Sequence, residues 1–411
     1  MNGGSQLDNL LLKSLRRVVG RAPVKLAIGP ASEEISDTTL SLPTIRFRDR
    51  ATLVRVLANP EMGFGDAYSE GKIEIEGDLV GVLEMIYRSP TKVARLHRRL
   101  MSLFSGMTRF NSLRGSKKNI HHHYDLGNDF YKLWLDNEMA YTCAYFPRAD
   151  VTLEDAQLAK FDHVCRKMWL RPGENVVDAG CGWGGLALHM AKRYGARVRA
   201  FNISHEQVAY ARDRAKWEGV ADRVEFIEDD YRNISGKADV FCSVGMLEHV
   251  GLTHYREFGR VIHRVIGDTG RGLLHFIGRN YEQKLSPWIR KRIFPGGHPP
   301  ALRYVMDIFE PQNYAVLDVE NLRMHYAKTL EHWLERFEGS YETVARKYDE
   351  NFARMWRLYL AGSVAGFRTG TMQLFQVVFA GSGCNTIPWT RAYVYDQNSQ
   401  RSDEPWIRAI S

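Results

Sequence analysis

Cysteine and long apolar runs are both scarce in this chain. Its 411 residues include five cysteines, an odd number without the spacing of a metal site or a disulfide framework, which predicts reduced thiols in a cytosolic protein. No apolar run approaches the roughly 20 residues that cross a bilayer. The N-terminal segment lacks the basic start and uninterrupted apolar stretch of a secretory signal, so we expect a cytoplasmic location.

Acidic residues are absent from one long stretch. Between Arg88 and Lys118 there are nine basic residues and no Asp or Glu, interleaved with large apolar side chains. The whole chain carries a net charge of +8, so this stretch accounts for the entire excess. It indicates either a solvated linker or an anionic partner, such as a lipid surface or a nucleic acid. Residues 288–294 have the same mixture of basic and large apolar side chains.

Apolar residues at helical spacing over 7–19 predict an amphipathic helix, packed on its own domain or lying on a membrane.

The remaining composition is typical of a globular protein, with 44% hydrophobic and 25% charged residues. The length favours two or three domains and is sufficient to bury a core without disulfides. We expect a small N-terminal α+β domain over 1–90, a basic amphipathic linker over 91–118 and a larger domain over 119–411.

The first 90 residues contain short strand and helix signals. Alternating apolar and polar residues predict strands at 44–48 and 72–76, and 80–87 is predicted as a helix. Three glycines, Gly63, Gly65 and Gly71, are interpreted as turns.

From about residue 175 the pattern changes to alternating strands and helices. The predicted strands are 175–177, 198–201, 224–227, 240–244, 273–277 and 373–380, and the predicted helices are 186–194, 205–218, 327–348 and 352–369. Alternation of this kind indicates an α/β fold with a doubly wound, mostly parallel sheet.

A glycine-rich turn between the first strand and the following helix is the strongest local signal. It combines Asp178 with the alternating glycines Gly180, Gly182 and Gly184. Glycines allow a ligand to approach the backbone, and the carboxyl end of the first strand is where doubly wound folds bind cofactors. The spacing differs from the G-x-G-x-x-G of dinucleotide-binding proteins. It resembles the first motif of class I S-adenosylmethionine (SAM) methyltransferases, which implies a Rossmann-like SAM-methyltransferase sheet.

Two further loops fit a nucleoside. Asn202 and Gln207 follow the second strand, where Gln207 is suited to hydrogen-bond ribose hydroxyls. Asp230 and Tyr231 follow the third strand, where the carboxylate is suited to accept the adenine amino group with the tyrosine against the ring. Each of these residues is also compatible with an ordinary loop.

Six segments together resemble the cyclopropane-fatty-acid-phospholipid synthase family. They are HYDLGN at 123–128, MAYTCAYF at 139–146, VVDAGCGWGG at 176–185, GMLEHVG at 245–251, LHFIG at 274–278 and HYAKTL at 325–330. The first 90 residues resemble the small N-terminal domain of bacterial members. Thr142 stands where members often have serine, which keeps the hydroxyl group.

The resemblance implies an enzyme that transfers a methylene from SAM to the cis double bond of unsaturated acyl chains in membrane phospholipids. The alkene attacks the SAM methyl group, and a bound bicarbonate deprotonates the resulting carbocation. The residues implied to hold that anion are Glu248, His275 and Tyr326, with backbone groups of Cys143 and Ile277. A site of this kind should be apolar and exclude water. The alternative is a SAM-dependent fatty-acyl C-methyltransferase that makes a methyl-branched or otherwise modified fatty acid.

The resemblance also places Tyr141 and Thr142 against the methionine part of SAM. We expect no metal, because the consecutive residues His121, His122 and His123 rarely converge on one ion. The expected partner is a phospholipid bilayer surface with anionic lipids, with the protein peripheral to the inner face of the membrane. A homodimer is implied by the resemblance. A nucleic-acid partner is not expected, because no RNA-binding signature accompanies the basic stretch.

Overall fold

The computed structural model describes residues 6–29, 31–32, 42–89 and 126–395. The predicted basic linker and the three consecutive histidines lie outside the described residues. The described residues up to position 89 contain four helices, namely α1 (Gln6–Val19), α2 (Arg50–Ala58), α3 (Pro60–Ser69) and α4 (Leu79–Arg88). Four short strands lie among them, namely β1 (Lys25–Ile28), β2 (Ala31–Ser32), β3 (Thr44–Phe47) and β4 (Ile73–Glu76).

The described residues after the gap contain seven strands and eleven α-helices. The strands are β5 (Asn175–Ala179), β6 (Arg197–Asn202), β7 (Val224–Glu228), β8 (Val240–Val244), β9 (Arg271–Gly278), β10 (Ala315–Asn321) and β11 (Gln373–Ala380). The helices are α5 (Asn128–Tyr131), α6 (Leu153–Lys167), α7 (Gly185–Tyr194), α8 (His205–Trp217), α9 (Tyr255–Ile266), α10 (Pro287–Arg292), α11 (Leu302–Phe309), α12 (Arg323–Gly339), α13 (Tyr341–Lys347), α14 (Glu350–Arg368) and α15 (Ala392–Tyr395).

The chain divides into two compact units that are not continuous in sequence. The first contains the described residues up to position 89 together with Lys284–Gly296 and Tyr326–Met372. The second contains the described residues from 126 to Gln283, Gly297–His325 and the described residues from Gln373 onward. This division differs from the sequence-based one, which placed all of 119–411 in one domain.

The first unit combines a four-stranded sheet with helices from the N-terminal part of the chain and from the later segments Lys284–Gly296 and Tyr326–Met372. The strand order is β2-β1-β3-β4, with β1 and β3 parallel. Helix α14 packs on α3 and α4. Arg354 Nε, on α14, donates to the carbonyl oxygen of Tyr68 at 2.8 Å, and the Arg368 guanidinium pairs with Glu84 at 3.0 Å.

The prediction of turns at Gly63 and Gly65 was wrong, because both residues lie inside α3. A Cβ at Gly63 would lie 2.7 Å from the carbonyl oxygen of Arg55 in α2, and one at Gly65 would lie 2.5 Å from the Trp288 ring. These glycines therefore allow close packing within a helix. Gly71 does lie in a turn, with φ +67°.

The second unit is built on a seven-stranded sheet with the order β10-β11-β9-β8-β5-β6-β7. The strands from β5 to β9 pair in parallel, and β11 runs antiparallel to β9 and β10. The prediction of a doubly wound, mostly parallel α/β sheet is confirmed. The order reverses between β5 and β8, so the carboxyl ends of these two strands flank the crevice in which such sheets bind ligands.

Two apolar clusters cover the two faces of this sheet. Residues of α6, α7 and α8 pack on one face, with Val176 and Leu273 of the strands. Residues of α9 and α11 pack on the other face, with Val177 and Leu274. Neighbouring strand residues thus point to opposite faces, as strand geometry requires. Because helices cover both faces of the sheet, residues on both sides of each strand are buried, and the strand sequences are therefore nearly continuous apolar runs.

The remaining helices follow the sequence signals with local differences. The helix predicted over 327–348 is interrupted at Ser340, which separates α12 from α13. In the mixed segment at 288–294, Trp288 and Ile293 are buried within the first unit, whereas Lys291 and Arg292 are exposed. Within the described ranges, no helix combines the length and the hydropathy needed to cross a membrane.

Candidate functional site

The glycine-rich turn connects β5 to α7 at the switch point of the sheet. Gly180, Gly182 and Gly184 all have positive φ, at +88°, +56° and +87°. A Cβ at Gly180 would lie 2.9 Å from the Met246 side chain, and one at Gly184 would lie 2.6 Å from the Phe226 ring. A Cβ at Gly182 would meet nothing within 4 Å. Packing thus requires two of the glycines, and the third leaves open backbone beside the crevice.

Asn202 joins this turn to the loop after β6. Its Nδ2 donates to the Gly182 carbonyl oxygen at 3.2 Å and to Gln207 Oε1 at 2.7 Å. The Gln207 amide oxygen is therefore used within the protein, whereas its Nε2 makes no hydrogen bond among the described residues and can donate to a ligand. The structure brings these two predicted residues together with the glycine turn.

Asp230 and Tyr231 follow β7 as predicted, but both side chains already have protein partners. The Asp230 carboxylate accepts from the Arg232 amide at 3.0 Å and pairs with its guanidinium at 3.1 Å. The Tyr231 ring packs edge-on against Phe258, with a centroid distance of 5.2 Å. Their contact with adenine stays a prediction, and it would have to coexist with these interactions.

Asp178 is buried at the end of β5. Burial raises the pKa of this carboxyl group to about 7, opposed by a contact with the Cys242 thiol and by the charge of Lys160. Cys242 Sγ lies 3.6 Å from Oδ1, whereas Oδ2 has no hydrogen-bond partner among the described residues. This unsatisfied buried oxygen is suited to a donor on a ligand.

The aromatic segment at 139–146 is held to α6 by two polar side chains. Lys160 Nζ donates to Thr142 Oγ1 at 2.8 Å. Gln157 Nε2 donates to the carbonyl oxygens of Ala140 and Thr142 at 3.1 and 3.0 Å. A Cβ at Gly245 would lie 3.0 Å from Thr142 Cγ2, so the segment also lies against the loop after β8.

Two other residues of this segment were singled out from the sequence. The Tyr141 ring packs against Trp134 and Tyr131, at centroid distances of 5.2 and 5.6 Å. Cys143 is fully buried, with Sγ 3.1 Å from the Ala144 carbonyl oxygen. A buried thiol of this kind fits the predicted positional role better than a nucleophile.

Glu248 lies in a short 3₁₀ turn, Leu247–His249, just after β8. Its Oε1 accepts the backbone N–H of Ile277 at 2.5 Å, and its Oε2 is buried without a partner in the described part of the chain. Burial raises the pKa of Glu248 to about 7, opposed by the Ile277 N–H. The Ile277 N–H therefore donates to Glu248, whereas the resemblance implies that a backbone group of Ile277 contacts the anion directly.

His275 lies on β9, two residues before Ile277. Burial lowers the pKa of His275 well below its usual value, and nearby cations add to the effect. The ring is thus neutral near pH 7. Gln376 Nε2 lies 3.1 Å from Nδ1, and Nε2 is buried with no hydrogen-bond partner among the residues described.

Tyr326 belongs to the first unit, whereas the other implied anion ligands belong to the second. Its ring packs against Phe367 and Trp333, with centroid distances of 4.6 and 5.9 Å. Its participation in the anion site therefore stays a prediction.

Three polar residues of this region were missed at the level of sequence: Gln157, Lys160 and Gln376. The first two lie on the same face of α6 as Phe161 and Val164, at helical spacing. The third interrupts an otherwise nearly apolar strand. In each case a polar residue at a core position was the available signal.

Comparison with known families supports the motifs. The family described as "Mycolic acid cyclopropane synthetase" matches residues 111–377, and a domain of unknown function matches residues 31–97. A probable fatty acid methyltransferase of Pseudomonas putida is 37% identical over 361 residues, covering 84% of this chain and 89% of that protein. The cyclopropane-fatty-acyl-phospholipid synthase of Escherichia coli K12 is 37% identical over 345 residues, covering 82% of this chain and 87% of that protein.

Solved structures agree with these matches. A mycolic acid cyclopropane synthase, CmaA1, complexed with SAH and CTAB, superposes with a TM-score of 0.61 at 29% identity. The alignment covers 64% of this chain and 97% of that protein. That relative was solved with SAH bound, and the shared fold agrees with the class I SAM-methyltransferase sheet predicted from the sequence.

Proposed function

The chain belongs to the mycolic acid cyclopropane synthetase family of SAM-dependent methyltransferases, and from this we propose that it is a cyclopropane-fatty-acid-phospholipid synthase. The proposed substrates are SAM and the cis double bond of an unsaturated acyl chain in a membrane phospholipid. The observation that carries the proposal is a pair of buried polar atoms, Glu248 Oε2 and His275 Nε2, without protein partners among the described residues. Glu248 follows β8, and His275 lies on β9. These two strands are adjacent and parallel, and they end beside the cofactor turn.

The glycine turn and its neighbours fit SAM. Open backbone at Gly182, the spare donors of Gln207 and the unsatisfied Asp178 oxygen would hold a ligand that carries an amine and hydroxyl groups. SAM bound there supplies an electrophilic methyl group. Thr142 and Tyr141, held by Lys160 and by aromatic packing, would close over the methionine part.

The two unsatisfied atoms fit a small oxyanion such as bicarbonate. The neutral His275 ring has one N–H to donate, and a Glu248 carboxyl with a pKa of about 7 is partly protonated at neutral pH and also donates. Bicarbonate supplies a base for the proton that leaves the new methyl group. Tyr326 is proposed as a third donor to this anion.

An oxyanion suits this reaction better than a side-chain base alone. An isolated carboxylate in an apolar pocket is costly to desolvate. Here Glu248 is stabilised by the Ile277 N–H and His275 by Gln376, so each keeps a fixed orientation with one atom available. The buried surroundings exclude water, which would trap a carbocation.

We further propose that the protein acts at the cytoplasmic surface of the membrane, as a homodimer. Within the described residues, α1 supports a lipid contact. It buries Leu12, Leu15 and Val19 and exposes Leu7 and Leu10. Apolar side chains beside exposed basic ones are typical of a helix that touches anionic lipid headgroups.

The second candidate is a fatty-acyl C-methyltransferase that yields a branched product. This alternative is supported by the 37% identity to the probable fatty acid methyltransferase of Pseudomonas putida. Both reactions share the carbocation and differ in its fate. In the synthase, loss of a proton from the new methyl group closes a ring.

The deciding experiment incubates the full-length protein with methyl-labelled SAM and vesicles of a cis-unsaturated phospholipid. A ring and a methylene branch add the same atoms, and a reduced methyl branch carries additional hydrogen atoms, so the mass and the proton NMR spectrum of the labelled product together separate them. Upfield ring protons support the synthase. A labelled methyl branch, or a labelled methylene group whose vinyl protons are distinct from the olefinic protons of unreacted substrate, supports the alternative. Label that never reaches lipid would contradict both.

A further inference from the structure

Gln376 is a glutamine in the middle of β11, a strand whose eight residues are all buried. A buried amide costs free energy unless it is hydrogen-bonded. The antiparallel register of β11 and β9 places Gln376 directly opposite His275, so both side chains lie on the same face of the sheet. Their side chains meet with Gln376 Nε2 at 3.1 Å from His275 Nδ1.

We propose that Gln376 is a positioning residue that fixes the tautomer of His275, so that the imidazole proton lies on Nε2. A neutral imidazole has one donor and one acceptor nitrogen. Donation from the Gln376 amide makes Nδ1 the acceptor, which leaves the proton on Nε2. Nε2 is buried and has no hydrogen-bond partner in the described ranges, so it presents a donor to an anion.

The surroundings of the His275 ring keep it neutral. A tautomer is defined only for a neutral imidazole, and burial together with Lys160, Lys167 and His163 lowers the pKa of His275 well below its usual value. The second nitrogen therefore cannot become a donor by protonation near pH 7. The inference deepens the proposed function, because it assigns the residue that aims one of the two anion-binding groups.

The experiment measures the tautomer directly. Full-length protein labelled with ¹⁵N-histidine gives long-range ¹⁵N–¹H correlations, and a His275→Gln variant identifies the His275 signals. In the unchanged protein we expect the proton on Nε2. In Gln376→Glu the carboxylate accepts from the ring, so the proton should move to Nδ1, and kcat should fall about ten- to hundred-fold. The Kd for SAM, measured by calorimetry, should remain the same.

Two variants guard against a general packing defect. Gln373→Leu replaces another buried glutamine of β11, one that contacts Asn321, and should keep both the tautomer and kcat. Gln376→Leu removes the donor with little change in volume and should yield a mixture of tautomers. An Nδ1 proton in the unchanged protein, or an unaltered tautomer in Gln376→Glu, overturns the inference. The expected tautomers with unchanged kcat would support the positioning and contradict the anion role of His275.

Discussion

At the scale of single residues, Lys160 connects the aromatic segment to the cofactor turn. It lies on α6 with 1% of its surface exposed, and Thr142 Oγ1 is its only hydrogen-bond acceptor among the described residues. Burial lowers the pKa of Lys160 to about 8, while the charges of Asp136 and Asp178 counteract this effect. The ammonium group therefore remains mostly charged at neutral pH and makes a charge-assisted hydrogen bond to the hydroxyl group.

Replacing Lys160 with methionine should weaken SAM binding. Thr142 Oγ1 would lose its donor, and a hydrogen bond to a charged group contributes about 1.5–3 kcal/mol, so we expect a roughly ten- to hundred-fold rise in Kd. Thr142→Val should have a similar effect, and Thr142→Ser should bind normally because the hydroxyl group is kept. Isothermal calorimetry measures each Kd.

The double variant tests whether the two residues act as one unit. If Lys160 acts through Thr142, the Kd of Lys160→Met/Thr142→Val should be close to that of either single variant. Fully additive losses in binding free energy would show that Lys160 has a separate role.

At the scale of elements, α3 shows where sequence reasoning stops. The strands and helices around the cofactor turn were predictable because apolar periodicity alone defines them. Gly63 and Gly65 were interpreted as turns since glycine weakens an isolated helix. Their reason is the close approach of α2 and of Trp288, a residue distant in sequence. Gln376 was missed for the same reason, because strand register gives it its partner.

A Gly65→Ala substitution should destabilise the first unit. Its Cβ would lie 2.5 Å from the Trp288 ring in α10, and overpacking of this kind costs about 1–3 kcal/mol. Gly362→Ala in α14 is the matched control, because its Cβ meets only the Tyr87 hydroxyl group, at 3.4 Å. Alanine there should be neutral or stabilising. Thermal melts of both variants make the comparison, and equal midpoints would contradict the packing argument.

The exposed face of α1 leads to a prediction about membranes. Reversing charge with Lys13→Glu and Arg17→Glu should weaken binding to vesicles that contain anionic phospholipid, because both residues are exposed beside Leu7 and Leu10. Co-sedimentation with anionic and with neutral vesicles measures the effect.

A matched double reversal at the exposed residues Lys216 and Arg223 separates a local effect from a change in net charge. Activity on detergent-dispersed lipid should survive in both double variants. If both lose vesicle binding equally, the N-terminal helix has no specific role.

At the scale of the whole molecule, several carboxyl groups are buried in the interior of the second unit. Burial raises the pKa of Asp136 to about 6 and the pKa values of Asp178 and Glu248 to about 7. Between about pH 4 and 7 these groups bind more protons in the folded than in the unfolded protein. Their contribution to the free energy of unfolding is complete below their unfolded pKa values and is lost as the pH rises towards 7.

Replacing Glu248 with glutamine isolates one of these contributions. The amide keeps an acceptor for the Ile277 N–H and does not ionise, so it avoids the cost of a buried charge at higher pH. Buried histidines, whose pKa values are lowered, act in the opposite direction in both proteins and cancel in the difference. The thermal midpoint of Glu248→Gln should therefore rise relative to that of the unchanged protein between pH 4.5 and 7.5. The gain in free energy is at most about 3 kcal/mol, since each unit of pKa shift corresponds to about 1.4 kcal/mol.

Glu310→Gln, at an exposed position, is the control and should shift the midpoint equally at both pH values. A Glu248→Gln difference that stays constant with pH would show that this carboxyl group titrates as it does in the unfolded chain. In that case Glu248 would be ionised at neutral pH and could only accept hydrogen bonds, so the proposed site would have to bind the protonated face of its anion.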